Sequence, residues 1–326
     1  MIGYYVHHHG RGHLHRALAI TAQLDEPVTF LSSLPAPAGL RATDTWLRLP
    51  LDVPDTAAPT TDPAAHGRLH WVPTGVAGLA ERHALITDFL ARERPRRVVV
   101  DVSVEVTLLV RLSGVPVVVM AMPGDRGDAV HRLALDVAEH VVAPWSDRVY
   151  RPDWLAEHAP RTHYVGSISR FDGRPRPARR PGARRCGVLL AGAGGSAVPA
   201  GALAELRGAA ADVDWTAMGG DAAWVDDPWS LLAAADVVVC HAGQNAIADV
   251  AVAGVPAVVV PQDRPFDEQH ATADALAAAG VAVAVPQWPA PERWPGLIAR
   301  ARACGDRWDE LRTRGAAARA AEVIAA

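Results

Sequence analysis

The sequence predicts an α/β protein of two doubly wound lobes, and three observations carry that expectation. Short β-branched runs alternate with Ala- and Leu-rich stretches along the chain, the pattern of buried parallel strands joined by helices. The 326 residues exceed what one ordinary core organises. Residues 169–185, rich in Arg, Pro and Gly and lacking apolar periodicity, read as an exposed connector between two halves.

Strands are expected in the first half at residues 2–6, 28–31, 97–100, 115–120, 140–142 and 163–165. In the second half they are expected at 187–191, 213–217, 237–240, 257–260 and 281–285. The units that follow are a first lobe over 1–168, a linker over 169–185, a second lobe over 186–295 and a helical tail over 296–326. Two Pro-rich loops interrupt them, at 51–73 and 286–295, and the first is long enough to suspect a function. Two Rossmann-like sheets facing each other put a ligand crevice at the carboxyl ends of their strands.

Composition narrows the partners. With 50% hydrophobic and 21% charged residues the chain reads as globular, and a net charge of −4 lacks the positive field that nucleic-acid binding requires. Cys186, Cys240 and Cys304 are too scattered for a disulfide framework or a zinc site. No basic segment precedes the first apolar run, and no apolar stretch approaches the roughly 20 residues that span a bilayer. The expected location is the cytoplasm.

The sharpest signal is residues 237–249, an apolar strand ending at His241, a turn through Ala242 and Gly243, and a helix beginning at Gln244. Gly243 allows a tight turn, and the new helix points unpaired N–H groups and its positive dipole end into the crevice, a site for phosphate. His241 and Asn245 add side-chain donors to it. Asp249, four residues beyond Asn245, shares its helix face and can accept ribose hydroxyls, although a lone Asp there also reads as a solvated helix residue. After the turn Gly254-Val-Pro256 and another strand, a polar loop ends in Glu268-Gln269, whose acceptors and amide suit sugar hydroxyls.

A second signal follows the first strand: His7-His-His-Gly-Arg-Gly-His13, where Gly10 and Gly12 allow a tight loop and His13 starts a helix. The third glycine of a dinucleotide fingerprint is missing. Five histidines in nine residues, without carboxylate or thiolate partners at ligand spacing, make a poor metal site. A third loop, Ala191-Gly-Ala-Gly194-Gly195-Ser196, could bring backbone N–H groups to a phosphate or a sugar, or be a plain tight turn.

Residues 241–249 with Glu268-Gln269 resemble the nucleotide-sugar glycosyltransferases of GT-B fold, which include plant natural-product enzymes and the N-acetylglucosaminyltransferase of peptidoglycan synthesis. The plant signature His-Cys-Gly-Trp-Asn-Ser followed by Glu is matched by His241-Ala-Gly-Gln-Asn245-Ala and Asp249, departing at Gln244 and in the shorter acid. The resemblance implies two Rossmann-like domains facing across a cleft, the first for the acceptor and the second for a nucleotide sugar, UDP-linked or dTDP-linked, with the tail helices crossing back. It also implies that Gly12-His13 matches the family's Gly-His loop, with His13 as general base and Asp101 orienting it. Asp101 reads alternatively as a helix N-cap, and His13 as a phosphate or structural contact.

The expected activity is inverting, metal-independent and cofactor-free transfer of the sugar to a hydroxyl. Nucleotide-sugar 2-epimerisation and silent nucleotide-sugar binding are the competing readings. Trp71 and residues 122–128 are expected on the acceptor side. A lipid-linked acceptor would require peripheral membrane contact, and a small aglycone would not.

Overall fold

The computed structural model describes residues 1–54, 60–177, 184–192, 198–220, 222, 225–304 and 307–326. Its first sheet holds β1 (Ile2–Val6), β2 (Val28–Ser32), β3 (Thr45–Arg48), β4 (Arg97–Asp101), β5 (Val117–Met120), β6 (His140–Ala143) and β7 (Thr162–Tyr164). Their order is β3-β2-β1-β4-β5-β6-β7 and every pairing is parallel. The second sheet holds β8 (Arg185–Leu190), β9 (Val213–Met218), β10 (Val237–Cys240), β11 (Ala257–Val259) and β12 (Val283–Ala284), parallel in the order β12-β11-β10-β8-β9.

Parallel strands need crossovers, and helices supply most of them: α1 (Gly12–Thr21), α2 (Ala77–Glu93), α3 (Val104–Leu112) and α4 (Ala129–Val137) in the first lobe. The second has α5 (Ala202–Ala209), α6 (Trp229–Ala234), α7 (Gln244–Ala253), α8 (Glu268–Ala278) and α9 (Trp294–Ala303), and α10 (Ala316–Ala325) follows. Helices on both faces make the central strands continuous apolar runs; Val98, Val99 and Val100 in β4 and Val237, Val238 and Val239 in β10 are fully buried.

Three features depart from expectation. Strand β3 has no β-branched run to announce it, because a half-exposed edge strand answers to one neighbour, pairing Leu47 with Leu31. The connector is not exposed at its start: Ser169 and Phe171 are buried, Phe171 packs in the second lobe's core, and the guanidinium groups of Arg170 and Arg174 lie 4.7 and 4.9 Å from its ring. The tail divides, with Trp294, Leu297 and Ile298 of α9 in the second lobe's core and Ala316, Ala320 and Ile324 of α10 in the first lobe's.

The chain therefore passes between lobes twice, and the two passes touch. Ser167 N–H donates to the Leu311 carbonyl at 2.9 Å, and Gly315 N–H to Asp172 Oδ2 at 2.7 Å. Arg319 grips the carbonyls of Val165 and Arg312 at 2.9 and 2.6 Å. The passes run so close at Gly166, φ +88°, that a Cβ there would lie 2.2 Å from the Arg312 oxygen.

Candidate active site

Strand order reverses between β1 and β4 in the first sheet and between β8 and β10 in the second. Ligands of such sheets bind outside the carboxyl ends at these switch points. In the first lobe the chain leaves β1 through three clustered histidines, His7 stacked on His8 and His9 tilted against both, turns at Gly10 (φ +76°), and enters α1 at Gly12. That geometry brings His13 Nδ1 to 2.9 Å from Oδ1 of Asp101, the last residue of β4. Asp101 is no N-cap; Ser103 caps α3, its Oγ accepting from Val106 N–H at 3.1 Å.

Sequence reasoning missed Arg16. One turn beyond His13 on α1, it is fully buried and clasps Asp101 with Nε and Nη2 at 3.1 and 2.5 Å. The signal was there, a cation three residues after the histidine and so on its helix face. Burial alone would raise the Asp101 pKa, but the Arg16 charge, His13 and their hydrogen bonds outweigh it and hold the carboxyl well below the usual range. Arg16 Nη2 also lies 3.2 Å from His13 Nδ1. A carboxylate only accepts, so Nδ1 carries the proton that faces Asp101 and Nε2 is left as the basic atom.

In the second lobe β10 delivers His241 and α7 begins at Gln244 after Gly243. Among the described residues no side chain caps α7, so its first N–H groups form a positive end at the cleft. Gly243 has an ordinary φ of −66° and nothing within 4 Å of a hypothetical Cβ, so its lack of a side chain leaves room in the cleft rather than making a strained turn. His241 Nδ1–H donates to the Val260 carbonyl at 2.8 Å. Donation to a phosphate therefore needs a second proton on Nε2, which burial disfavours by lowering this histidine's pKa.

Other expected donor residues carry structural duties. Asn245 Nδ2 donates across the cleft to the Gly12 carbonyl at 2.7 Å, and Gln244 Oε1 accepts from Arg16 at 2.9 Å. Gln269 Oε1 accepts from Ala242 N–H and Gln262 N–H, each at 3.2 Å, which ties the β10 and β11 loops together. Asp249 is not solvated: it is buried and takes the Ser169 hydroxyl at 2.6 Å. Burial pushes its pKa up to about 6 against the opposing pull of Ser169 and Arg170. Gly194, Gly195 and Ser196 lie outside the described residues.

A cleft of about 530 Å³ between the lobes is lined by Gly12, His13, His241, Gly243, Gln244, Asn245, Asp249, Glu268 and Gln269, so the remaining expected residues converge on one space apart from Asp101 and Ala242 behind its wall. A second cavity of about 440 Å³ lies in the first lobe and shares His9, Met122 and Pro265 with the cleft. Trp71 and, from the loop 122–128, Met122 and Arg126 stand on its wall beside Asp52 and Val53. Its floor is apolar, including Val104, Val106, Met120 and Leu135.

The charges around this second cavity are paired. Asp52 bridges to Arg82, and Glu105 accepts from the N–H groups of His70 and Trp71 at 2.7 and 3.1 Å. Arg126 bonds the Pro123 carbonyl at 3.0 Å and faces Glu268 at 3.6 Å. His70, Asp128 and His131 bring ligand-type atoms within 4.8 Å of one another, with His70 Nε2 3.5 Å from Asp128 Oδ1. Asp128 caps α4 and takes the His131 Nδ1–H, while His131 Nε2 accepts from Arg126 at 3.0 Å.

Residues 222–303 match the model of the glycosyltransferase family 28 C-terminal domain. A UDP-N-acetylglucosamine–N-acetylmuramyl-(pentapeptide) pyrophosphoryl-undecaprenol N-acetylglucosamine transferase of Methylococcus capsulatus is 42% identical over 86 residues, 26% of this chain and 24% of the relative. That of Paenarthrobacter aurescens is 41% identical over 85 residues, 24% of this chain and 23% of the relative. The chain thus spans about a quarter of the length of the curated relatives it matches.

Whole-chain likeness comes from structures. The glycotransferase of kitacinnamycin superposes with a TM-score of 0.73 at 18% identity, covering 99% of this chain and 98% of that one. MurG of Acinetobacter baumannii gives 0.64 at 16%, covering 99% of each. The class that fold and cleft define is the GT-B protein: two facing Rossmann-like lobes with a ligand cleft between them. Within that class, the second lobe carries the family 28 glycosyltransferase match.

Proposed function

We propose that this chain is an inverting, metal-independent glycosyltransferase that moves a sugar from a nucleoside-diphosphate donor, foremost a UDP-sugar, to a hydroxyl of a small apolar acceptor. The observation that carries this reading is the facing pair in the cleft: the Asp101-oriented His13 on one wall and the uncapped start of α7 on the other.

The chemistry follows from that pairing. His13 Nε2 takes the acceptor's hydroxyl proton as its oxygen attacks the anomeric carbon, and Asp101 steadies the imidazolium. The bond from that carbon to the diphosphate breaks on the opposite face, which inverts the centre. The diphosphate leaves with the electron pair, its growing charge met by the N–H groups opening α7. Asp249 Oδ2 serves the ribose, Glu268 the sugar, and the amide of Gln269 lies beside them. The paired charges and apolar floor of the second cavity suit a neutral aglycone, and its volume lies within the roughly 300–1,000 Å³ of small-molecule sites.

Two measurements test this together. UDP and dTDP are expected to raise the melting temperature of the native chain, and His13→Ala to keep that shift while losing acceptor-dependent release of UDP from UDP-glucose and UDP-N-acetylglucosamine. No shift with either nucleotide would sink the proposal.

A further inference from the structure

The loop from β11 to α8 does more than carry Glu268 and Gln269 to the cleft. It crosses to the first lobe and sets the Phe266 side chain in the wall of the second cavity. There the ring meets His131 edge-on at 4.6 Å and His70 at 5.2 Å, with the Arg126 guanidinium 4.9 Å from its centre. One cavity wall is therefore supplied by the lobe that holds the donor site.

The crossing is held under backbone strain. Phe266 and Asp267 are consecutive non-glycine residues in the left-handed region, φ +61° and +55°. Such conformations are costly for residues with a Cβ and persist only where surroundings enforce them. Here the Phe266 carbonyl accepts the Asp125 N–H at 2.7 Å, and Gly124, φ +102°, lies so close that a Cβ would stand 2.1 Å from that oxygen. Trp154 Nε1–H braces Gly124 from behind, donating to its carbonyl at 2.8 Å. These contacts join the two lobes, so the ring's place in the wall depends on the lobes staying together.

We infer that Phe266 is an acceptor-specificity residue contributed by the donor lobe, and that it couples occupancy of the donor cleft to closure of the acceptor cavity. This rests on the glycosyltransferase reading above and deepens it. Pro265 lines both spaces, so the link from Glu268 to the ring is only two residues long. A filled donor site that draws Glu268 inward thereby seats Phe266, and an acceptor buried beneath the ring is sealed from water.

The test uses 2-naphthol, a neutral fluorescent phenol, as cavity probe and UDP as cleft probe on the full chain. In the native protein saturating UDP is expected to tighten naphthol binding at least 5-fold, within the usual range of coupling between sites. Phe266→Ala should weaken naphthol about 10-fold and cut the coupling below 2-fold, Phe266→Leu should restore part of both, and UDP affinity should stay within 2-fold throughout. Gly124→Ala, which drives a methyl into the Phe266 carbonyl, should abolish the coupling with the ring still present.

Unchanged naphthol affinity and coupling in Phe266→Ala, with UDP still bound, overturns the inference while sparing the donor reading. Naphthol failing to bind a native chain that binds UDP overturns the cavity's part in it. Failure of both UDP and dTDP to bind overturns the donor reading and the coupling with it.

Discussion

Asp249 lines the cleft and Asp101 lies just behind its wall, both as buried carboxylates, yet their surroundings set them opposite tasks. Asp101 sits beside the buried guanidinium of Arg16 and is a permanent anion. Asp249 has a serine hydroxyl at 2.6 Å and Arg170 no nearer than 3.8 Å, and it titrates near 6. Burial acts the same way on each; a cation at contact distance decides the outcome. A fixed charge suits orientation of a base, and a poorly compensated one suits a site completed by a ligand's hydroxyl donors.

The two carboxyls differ in sign with pH. The Asp101 pKa is depressed, so its contribution to stability is complete above the ordinary carboxylate range and is lost only as pH falls below it. The Asp249 pKa is raised, so folding favours its protonated form, an advantage present in acid and gone as pH rises through about 6.

The hardest blow to this contrast is Asp101→Ala, which strands Arg16. It is expected to cost about 3–5 kcal/mol in denaturant unfolding at pH 7, and a loss below about 1 would mean that the pair is not the buried clasp described. Next comes His13→Ala, with transfer slowed about 10²–10⁴-fold at unchanged UDP affinity, read from UDP release and calorimetry. Asp249→Asn should stabilise the chain by up to about 3 kcal/mol at pH 8 and by roughly half of that at pH 5, while weakening UDP about 10-fold. A gain that is equal at both pH values would remove the assigned titration. The smallest effect is that of Asn245→Ala, about 1 kcal/mol off thermal stability through the lost bond to the Gly12 carbonyl.

How far the sequence could be read depended on whether a feature is local. Residues 237–269 form one continuous strand, turn, helix, strand and loop, so spacing alone placed His241, Gly243, Asn245, Asp249, Glu268 and Gln269 around one space. Their hydrogen bonds were not legible, because Gly12, Ser169 and Arg16 arrive from other segments. Asp101 and His13, 88 residues apart, could be paired only by resemblance. The second cavity was least legible, since Asp52, Trp71, Arg126 and Phe266 carry no shared pattern in sequence and meet only once both lobes are folded. The buried start of the connector was misread because its arginines hide Phe171, covering an aromatic ring with charged side chains whose polarity dominates any window average.

The two touching passages between the lobes have a mechanical consequence. A single tether would let one lobe swivel freely about the other, but two tethers pinned together at Ser167–Leu311 and Asp172–Gly315 leave one axis, as a door has on a pair of pins. Any opening and shutting would then retrace a single arc and return the start of α7 to the same alignment with His13.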